Sequence, residues 1–259
     1  MRHTVRMLTS RTAVGAVISA LLMSLAGCGE DSGGGNEESQ TLTVLAAASL
    51  TDVFEDLATE FEAAHGGASV EFSFGSSTDL AEQAADGAPG DVLATADETS
   101  MQLVEEAGVT GDVSTFATNV LTIVTPADNP SEIQSLDDLE GSTWVRCTDE
   151  APCGRVAAIV LEDNGITAEP ASLEEDVRAT LDKVVSGEAD AGLVYATDAV
   201  AAGDAVVAVA IPGAESALTS YFTTVLEQSA DADLAAEWVG LVTSEKGLAI
   251  LKQAGFGAP

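Results

Sequence analysis

Apolar positions in this chain alternate between two rhythms. Thr41 to Ala47 (TLTVLAA) has the near-continuous apolar character of a buried strand. Leu50 to Ala64 follows, with Leu50, Val53, Phe54, Leu57, Ala58 and Phe61 at helical spacing. Val70, Phe72 and Phe74 then alternate within Ala68 to Phe74, which predicts a strand. The spacing predicts a helix over Thr78 to Asp86, a turn at Gly87-Ala88-Pro89-Gly90 and a strand over Asp91 to Thr95. A helix over Asp97 to Ala107 stops at Gly108.

The same alternation continues to the end. Strands are expected at Asn119 to Thr125, Thr143 to Cys147, Asp190 to Ala196, Ala205 to Ile211 and Ser220 to Leu226. Helical segments are expected at Ser135 to Leu139, Gly154 to Asn164, Leu173 to Ser186 and, as one or two helices, Asp231 to Ala254. Strands that alternate with helices imply an α/β fold with mainly parallel sheets. Ligands of such sheets bind beyond the carboxyl ends of the strands, beside helix N-termini.

Residues before about 40 follow a different pattern. Arg2, Arg6 and Arg11 precede an apolar run from Ala13 to Ala26, shorter than the roughly 20 apolar residues of a membrane span. This is the layout of a secretory signal. It ends in Leu25-Ala26-Gly27-Cys28, which resembles the lipobox of bacterial lipoproteins. That resemblance implies a signal over 1–27, a lipid on Cys28 and a protein held on the outer face of the cell membrane. Gly29 to Gln40 (GEDSGGGNEESQ) has nothing apolar to bury and reads as a tether, 28–40 with the cysteine.

Charge narrows the partners. Three of the nine bases are Arg2, Arg6 and Arg11, and no acid precedes Glu30. From Cys28 onward 43 acids face six bases, a net charge of about −37 by simple counting. Such a surface excludes nucleic-acid binding, which requires basic patches. Two further cysteines, Cys147 and Cys153, lie six positions apart. In an exported protein the simplest reading of that pair is a disulfide closing a small loop. A metal site is the rival reading, with only His65 as an additional soft ligand after the signal.

Candidate chemistry sits at the helix entrances. The first strand ends in Ala46-Ala47-Ala48-Ser49 and the second in Phe74-Gly75-Ser76-Ser77, each running into a helix. One such serine is an ordinary helix cap. Two of them in neighbouring strand–helix units place hydroxyls and helix N-termini along one cleft. Ala151-Pro152-Cys153-Gly154 opens a third helix with proline in its first turn. Glu175-Asp176-Val177-Arg178 opens a fourth, and Tyr195 ends the strand DAGLVYA. A serine hydrolase is a rival reading, but His65 is the sole candidate base after the signal and no Gly-x-Ser-x-Gly elbow occurs. A carboxylate metal-ion site is another, without EF-hand spacing or a Cys/His cluster.

Taken together, AAASL at 46–50, SFGSS…LAEQ at 73–83, GAPGDVLATAD at 87–97, EDVRATL at 175–181 and GLVYATDAV at 192–200 resemble the molybdate-binding proteins of ABC importers, in order and spacing, from about Thr41 to Gly257. The resemblance implies a two-lobed periplasmic-binding-protein type II fold, with lobe 1 over 41–122 and 218–259 and lobe 2 over 123–217, joined by two hinge crossovers. It implies no catalysis and no cofactor. Molybdate or tungstate would be the ligand, and an ABC transporter permease and ATPase the partners of a monomer. The family's two serine ligands fall on Ser49 and Ser77, with Ser76 as an additional candidate. Its main-chain donors fall on Cys153 and Val177, and its tyrosine donor on Tyr195. Another oxyanion such as sulfate, phosphate or thiosulfate remains the alternative ligand.

Overall fold

In a computed structural model the described residues are 40–259. The expected signal, the lipid site Cys28 and all but the last residue of the expected tether lie outside the described residues. Gln40, assigned to that tether, is the first residue of a strand.

The first sheet is built from β1 (Gln40–Ala47), β2 (Ala68–Gly75), β3 (Val92–Thr95), β4 (Ser114–Asn119) and a strand returning late in the chain, Thr219–Val225. The second comprises β5 (Leu121–Pro126), β6 (Trp144–Cys147), β7 (Ser172–Glu174), β8 (Ala191–Tyr195) and β9 (Val206–Ala210), so the returning strand is β10. Their orders are β2-β1-β3-β10-β4 and β7-β6-β8-β5-β9. Each sheet is mixed. β10 runs antiparallel to both of its neighbours, as does β5, while β1, β2 and β3, and likewise β6, β7 and β8, are mutually parallel. The reversed strand in each sheet is the one that enters directly after the chain has crossed from the other sheet. The crossings lie at Asn119–Leu121 and between Ala210 and Thr219.

Helices flank both sheets. With the first pack α1 (Thr51–Ala64), α2 (Ser77–Ala85) and α3 (Glu98–Ala107). With the second pack α4 (Pro152–Asp163), α5 (Val177–Val185) and α6 (Ala196–Ala202), and α7 (Ala232–Thr243) and α8 (Glu245–Gln253) return to the first. No described helix is long and apolar enough to cross a membrane.

The cores follow the apolar periodicity. Phe54 and Phe61, one helical stripe of α1, meet Trp238 of α7 edge-on at ring-centroid distances of 5.6 and 5.4 Å. The second sheet buries Trp144, Ile123, Leu193 and Val194 against Val160, Leu181 and Val184. Three elements differ from the sequence reading. Ser114–Asn119 (STFATN) is too polar to register as a strand, yet it completes a sheet edge beside β10. Leu173–Ser186 is not one helix: Ser172–Glu174 pairs with β6, and α5 starts only after Asp176, whose Oδ1 accepts the Arg178 and Ala179 N–H groups. Ala196–Ala202 is a helix that follows β8 without any turn residue between them.

Candidate functional site

The carboxyl ends of β1, β2, β3 and β8 and the starts of α2, α4 and α5 converge on one cavity. Its space is ≈ 210 Å³, counted out to the open mouth. Ser49, Ser76, Ser77, Cys153, Val177 and Tyr195 all line it, together with Ala47, Ala96 and Asp176. The geometry therefore gathers every candidate ligand residue around a common space.

Each wall has its own construction. Ser49 lies in a single 3-10 turn, Ala48–Leu50, between β1 and α1, and its side chain caps no helix. Instead its Oγ lies 2.8 Å from the Tyr221 hydroxyl. Ser77 is the first residue of α2, and its Oγ accepts the Ala96 N–H at 2.9 Å. Ser76 precedes it as the N-cap, in extended conformation and with no side-chain capping bond.

Across the cavity the chain presents helix starts. Pro152 and Cys153 open α4, and Val177 opens α5. N–H groups in a first helical turn have no intrahelical acceptor and carry the positive end of the helix dipole. Gly154 lets α4 begin so close to β6, because a Cβ there would meet the Thr148 carbonyl oxygen at 1.7 Å. Cys147 and Cys153 are joined by a disulfide, Cα to Cα 5.8 Å, which ties the end of β6 to the start of α4.

Tyr195 is 1 % exposed, and its hydroxyl has no hydrogen-bond partner among the described residues. Burial holds its pKa well above the usual tyrosine value, and Tyr221 and Asp97 add to this. At neutral pH this group is a proton donor with nothing to donate to. A buried donor left unsatisfied costs about 1–3 kcal/mol, so the cavity is built to receive an acceptor.

Among the described residues no cation lines the cavity. Arg178 reaches from α5 to Asp52 of α1, and Arg155 of α4 pairs with Asp97 at 2.6 Å while donating to Thr78 and Ser100. Both arginines thus join the two halves beside the cavity. Asp176 is an acid in the wall, but its Oδ1 is held by two N–H groups of α5. Beneath the cavity Asp198 accepts the Tyr195 N–H at 3.0 Å. Burial pushes its pKa up to about 7, against the lowering effect of Arg178.

Sequence reasoning missed Asn119, Thr197, Asp198 and Tyr221, which support this site from below. Asn119 Nδ2 donates to Thr197 Oγ1 at 2.8 Å and to the Tyr221 hydroxyl at 3.3 Å. Only their shared burial, from three distant segments, identifies them, and local spacing carries no signal of that kind.

A cleft between two mixed sheets, walled by helix starts, is the arrangement of a solute-binding protein. Residues 42–257 match the family of bacterial extracellular solute-binding proteins, and the chain belongs to it. It is 37% identical over 253 residues to the molybdate-binding protein ModA of Mycobacterium tuberculosis, covering 95% of this chain and 97% of that one. To ModA of Escherichia coli it is 33% identical over 199 residues, covering 72% and 77%. Among solved structures, the periplasmic molybdate-binding protein of Azotobacter vinelandii superposes with a TM-score of 0.74 at 24% identity, over 84% of this chain and 99% of that one. The sulfate-binding protein SubI of Mycobacterium tuberculosis gives the same TM-score at 21% identity, over 84% and 86%, so the fold alone does not choose among oxyanions.

Proposed function

We propose that this protein binds molybdate, and tungstate as well, outside the cytoplasm and delivers it to an ABC transporter permease and its ATPase. The observation that carries this reading is a donor-rich cavity: serine hydroxyls, helix starts and an unpartnered buried tyrosine hydroxyl, with no cation among the described residues that line it. Ser49, Ser77 and Tyr195 would donate through hydroxyls and Cys153 and Val177 through main-chain N–H groups, with Ser76 as a further donor. Lobes divided near 122 and 218 would close over the anion about the two crossings.

Hydrogen bonds to a charged acceptor are worth roughly 1.5–3 kcal/mol each, and a micromolar Kd corresponds to about −8 kcal/mol. Five such bonds in a dry cleft therefore support sub-micromolar affinity. A dipole-based site holds a dianion without a permanent ion pair, which allows release at the transporter. Sulfate is smaller and would leave some of these hydrogen bonds long. The protein acts as a monomer, needs no cofactor and is held to the membrane through a lipid on Cys28.

Among the described residues no histidine base lines the cavity beside its serines. His65 ends α1, about 20 Å along that helix from its start beside Ser49, and its ring nitrogens meet the Phe61 carbonyl and Glu237. For a metal-ion carrier the described residues hold no cluster of three or more His, Cys, Asp or Glu side chains.

Calorimetric titration of the purified protein with molybdate, tungstate, sulfate and phosphate tests the proposal. Sub-micromolar binding of the first two, at least about 100-fold tighter than sulfate or phosphate, is expected. A preference for sulfate or phosphate would replace the ligand, and binding of none of the four would remove the function.

A further inference from the structure

A serine hydroxyl has one proton and two lone pairs, so it can face a ligand as donor or as acceptor. A cavity for a fully ionised oxyanion requires donors. For Ser77 the choice is already made. The Ala96 N–H can only donate, and it occupies the Ser77 oxygen, which leaves the Ser77 proton for the cavity.

Ser49 is different, because its partner, the Tyr221 hydroxyl, could donate or accept. Asn119 breaks the ambiguity. Its Oδ1 accepts the Val120 N–H at 3.0 Å; the flipped amide would set two donors against each other. The NH2 group must therefore face Thr197 and Tyr221. Tyr221 then accepts from Asn119, its proton turns to Ser49, and the Ser49 proton is left for the cavity. All three side chains are buried, Ser49 at 7 %, Asn119 at 4 % and Tyr221 at 0 % exposed, so water does not scramble the chain. Its anchor, Val120, lies at one crossing between the sheets.

We propose that Asn119 and Tyr221 are positioning residues that fix Ser49 as a hydrogen-bond donor, and so make the site reject oxyanions that keep a proton. This rests on the oxyanion reading above. With one lone pair of each serine oxygen engaged and both serine protons turned into the cavity, a ligand oxygen that keeps its own proton, as in hydrogen phosphate, meets those protons head-on and loses hydrogen bonds that a fully ionised oxyanion makes.

Asn119→Asp keeps the shape and the acceptor for Val120 but presents an acceptor to Tyr221. The Tyr221 proton then turns to residue 119, and Ser49 donates to Tyr221 instead of the cavity. Tyr221→Phe removes the link. The experiment is a calorimetric titration of the parent, both single variants and the double variant with molybdate and with phosphate at neutral pH, with melting curves to establish folding. Asn119→Asp is expected to weaken molybdate by about 100-fold, since a donor becomes an acceptor, and Tyr221→Phe by about 10-fold. Adding Tyr221→Phe to Asn119→Asp restores affinity to that of Tyr221→Phe alone, and the molybdate-to-phosphate ratio falls about 10-fold or more in both single variants.

A double variant as weak as Asn119→Asp would assign the loss to charge and overturn the relay. Should Asn119→Asp not fold, the ratio in Tyr221→Phe decides, and an unchanged ratio overturns it. A parent that binds no oxyanion removes the functional reading and the relay together. A parent that binds molybdate while the cycle is additive removes the relay alone.

Discussion

The two walls of the cavity offer the same partial charge by different means. The first sheet supplies side-chain hydroxyls, Ser49 and Ser77, whose oxygens are each engaged by a neighbour. The second supplies helix starts at Cys153 and Val177, where the donors belong to the backbone, beside the single hydroxyl of Tyr195 at the end of β8. The hydroxyl wall depends on residue identity at two positions. The backbone wall depends on whatever holds the chain in place, namely Pro152, Gly154 and the Asp176 cap, and is indifferent to the side chains at 153 and 177.

That contrast breaks most sharply at Gly154. Alanine there drives a Cβ against the Thr148 carbonyl oxygen, so the start of α4 must move. We expect Gly154→Ala to weaken molybdate binding by more than about 100-fold and to lower the melting temperature, although residue 154 is assigned no ligand contact. Calorimetry with a parallel melting curve reads both.

On the opposite wall Ser77→Ala removes one donor and frees the Ala96 N–H, at an expected loss of about 10- to 100-fold in affinity with little change in fold. Ser77→Thr retains the hydroxyl and recovers part of the loss. Replacing both cysteines of the disulfide by alanine sharpens the comparison from the other side. The main-chain donor survives, so binding stays within about twofold, while opening a loop this short costs about 2 kcal/mol in denaturant unfolding.

The smallest effect on binding is expected beneath the cavity. Asp198 has a folded pKa of about 7 against 3.8 for the free group, so the native state holds the extra proton. The contribution of Asp198 to the stability of the ligand-free protein therefore falls as pH rises from about 4 through 7. Asp198→Asn, which can still accept the Tyr195 N–H, flattens that slope, and its melting temperature gains on the parent across this window.

Much of this architecture is legible in the sequence, and the gaps have physical causes. The stripe Val53, Phe54, Leu57, Phe61 and the alternation Val70, Phe72, Phe74 report burial directly, and α1 and β2 follow from them. Ser114–Asn119 is hidden because a polar strand at a sheet edge needs no apolar pattern. Ser49 and Ser77 stand out as hydroxyls between strand and helix. Cys153 and Val177 could not be read from residue type, because a backbone donor leaves no mark on the side chain; only the family resemblance indicated them. Tyr221 was invisible for a topological reason. It reaches Ser49 from 172 positions away, on the strand that returns after the second crossing.

The most direct test of the account is a crystal structure of the molybdate-loaded protein with the metal located by its anomalous signal. The account predicts one peak in the cavity, with oxyanion oxygens about 2.7–3.1 Å from Ser49 Oγ, Ser77 Oγ, Tyr195 Oη and the main-chain nitrogens of Cys153 and Val177. A peak outside this cavity, or an anion held by Arg155 or Arg178 after the halves separate, would contradict it.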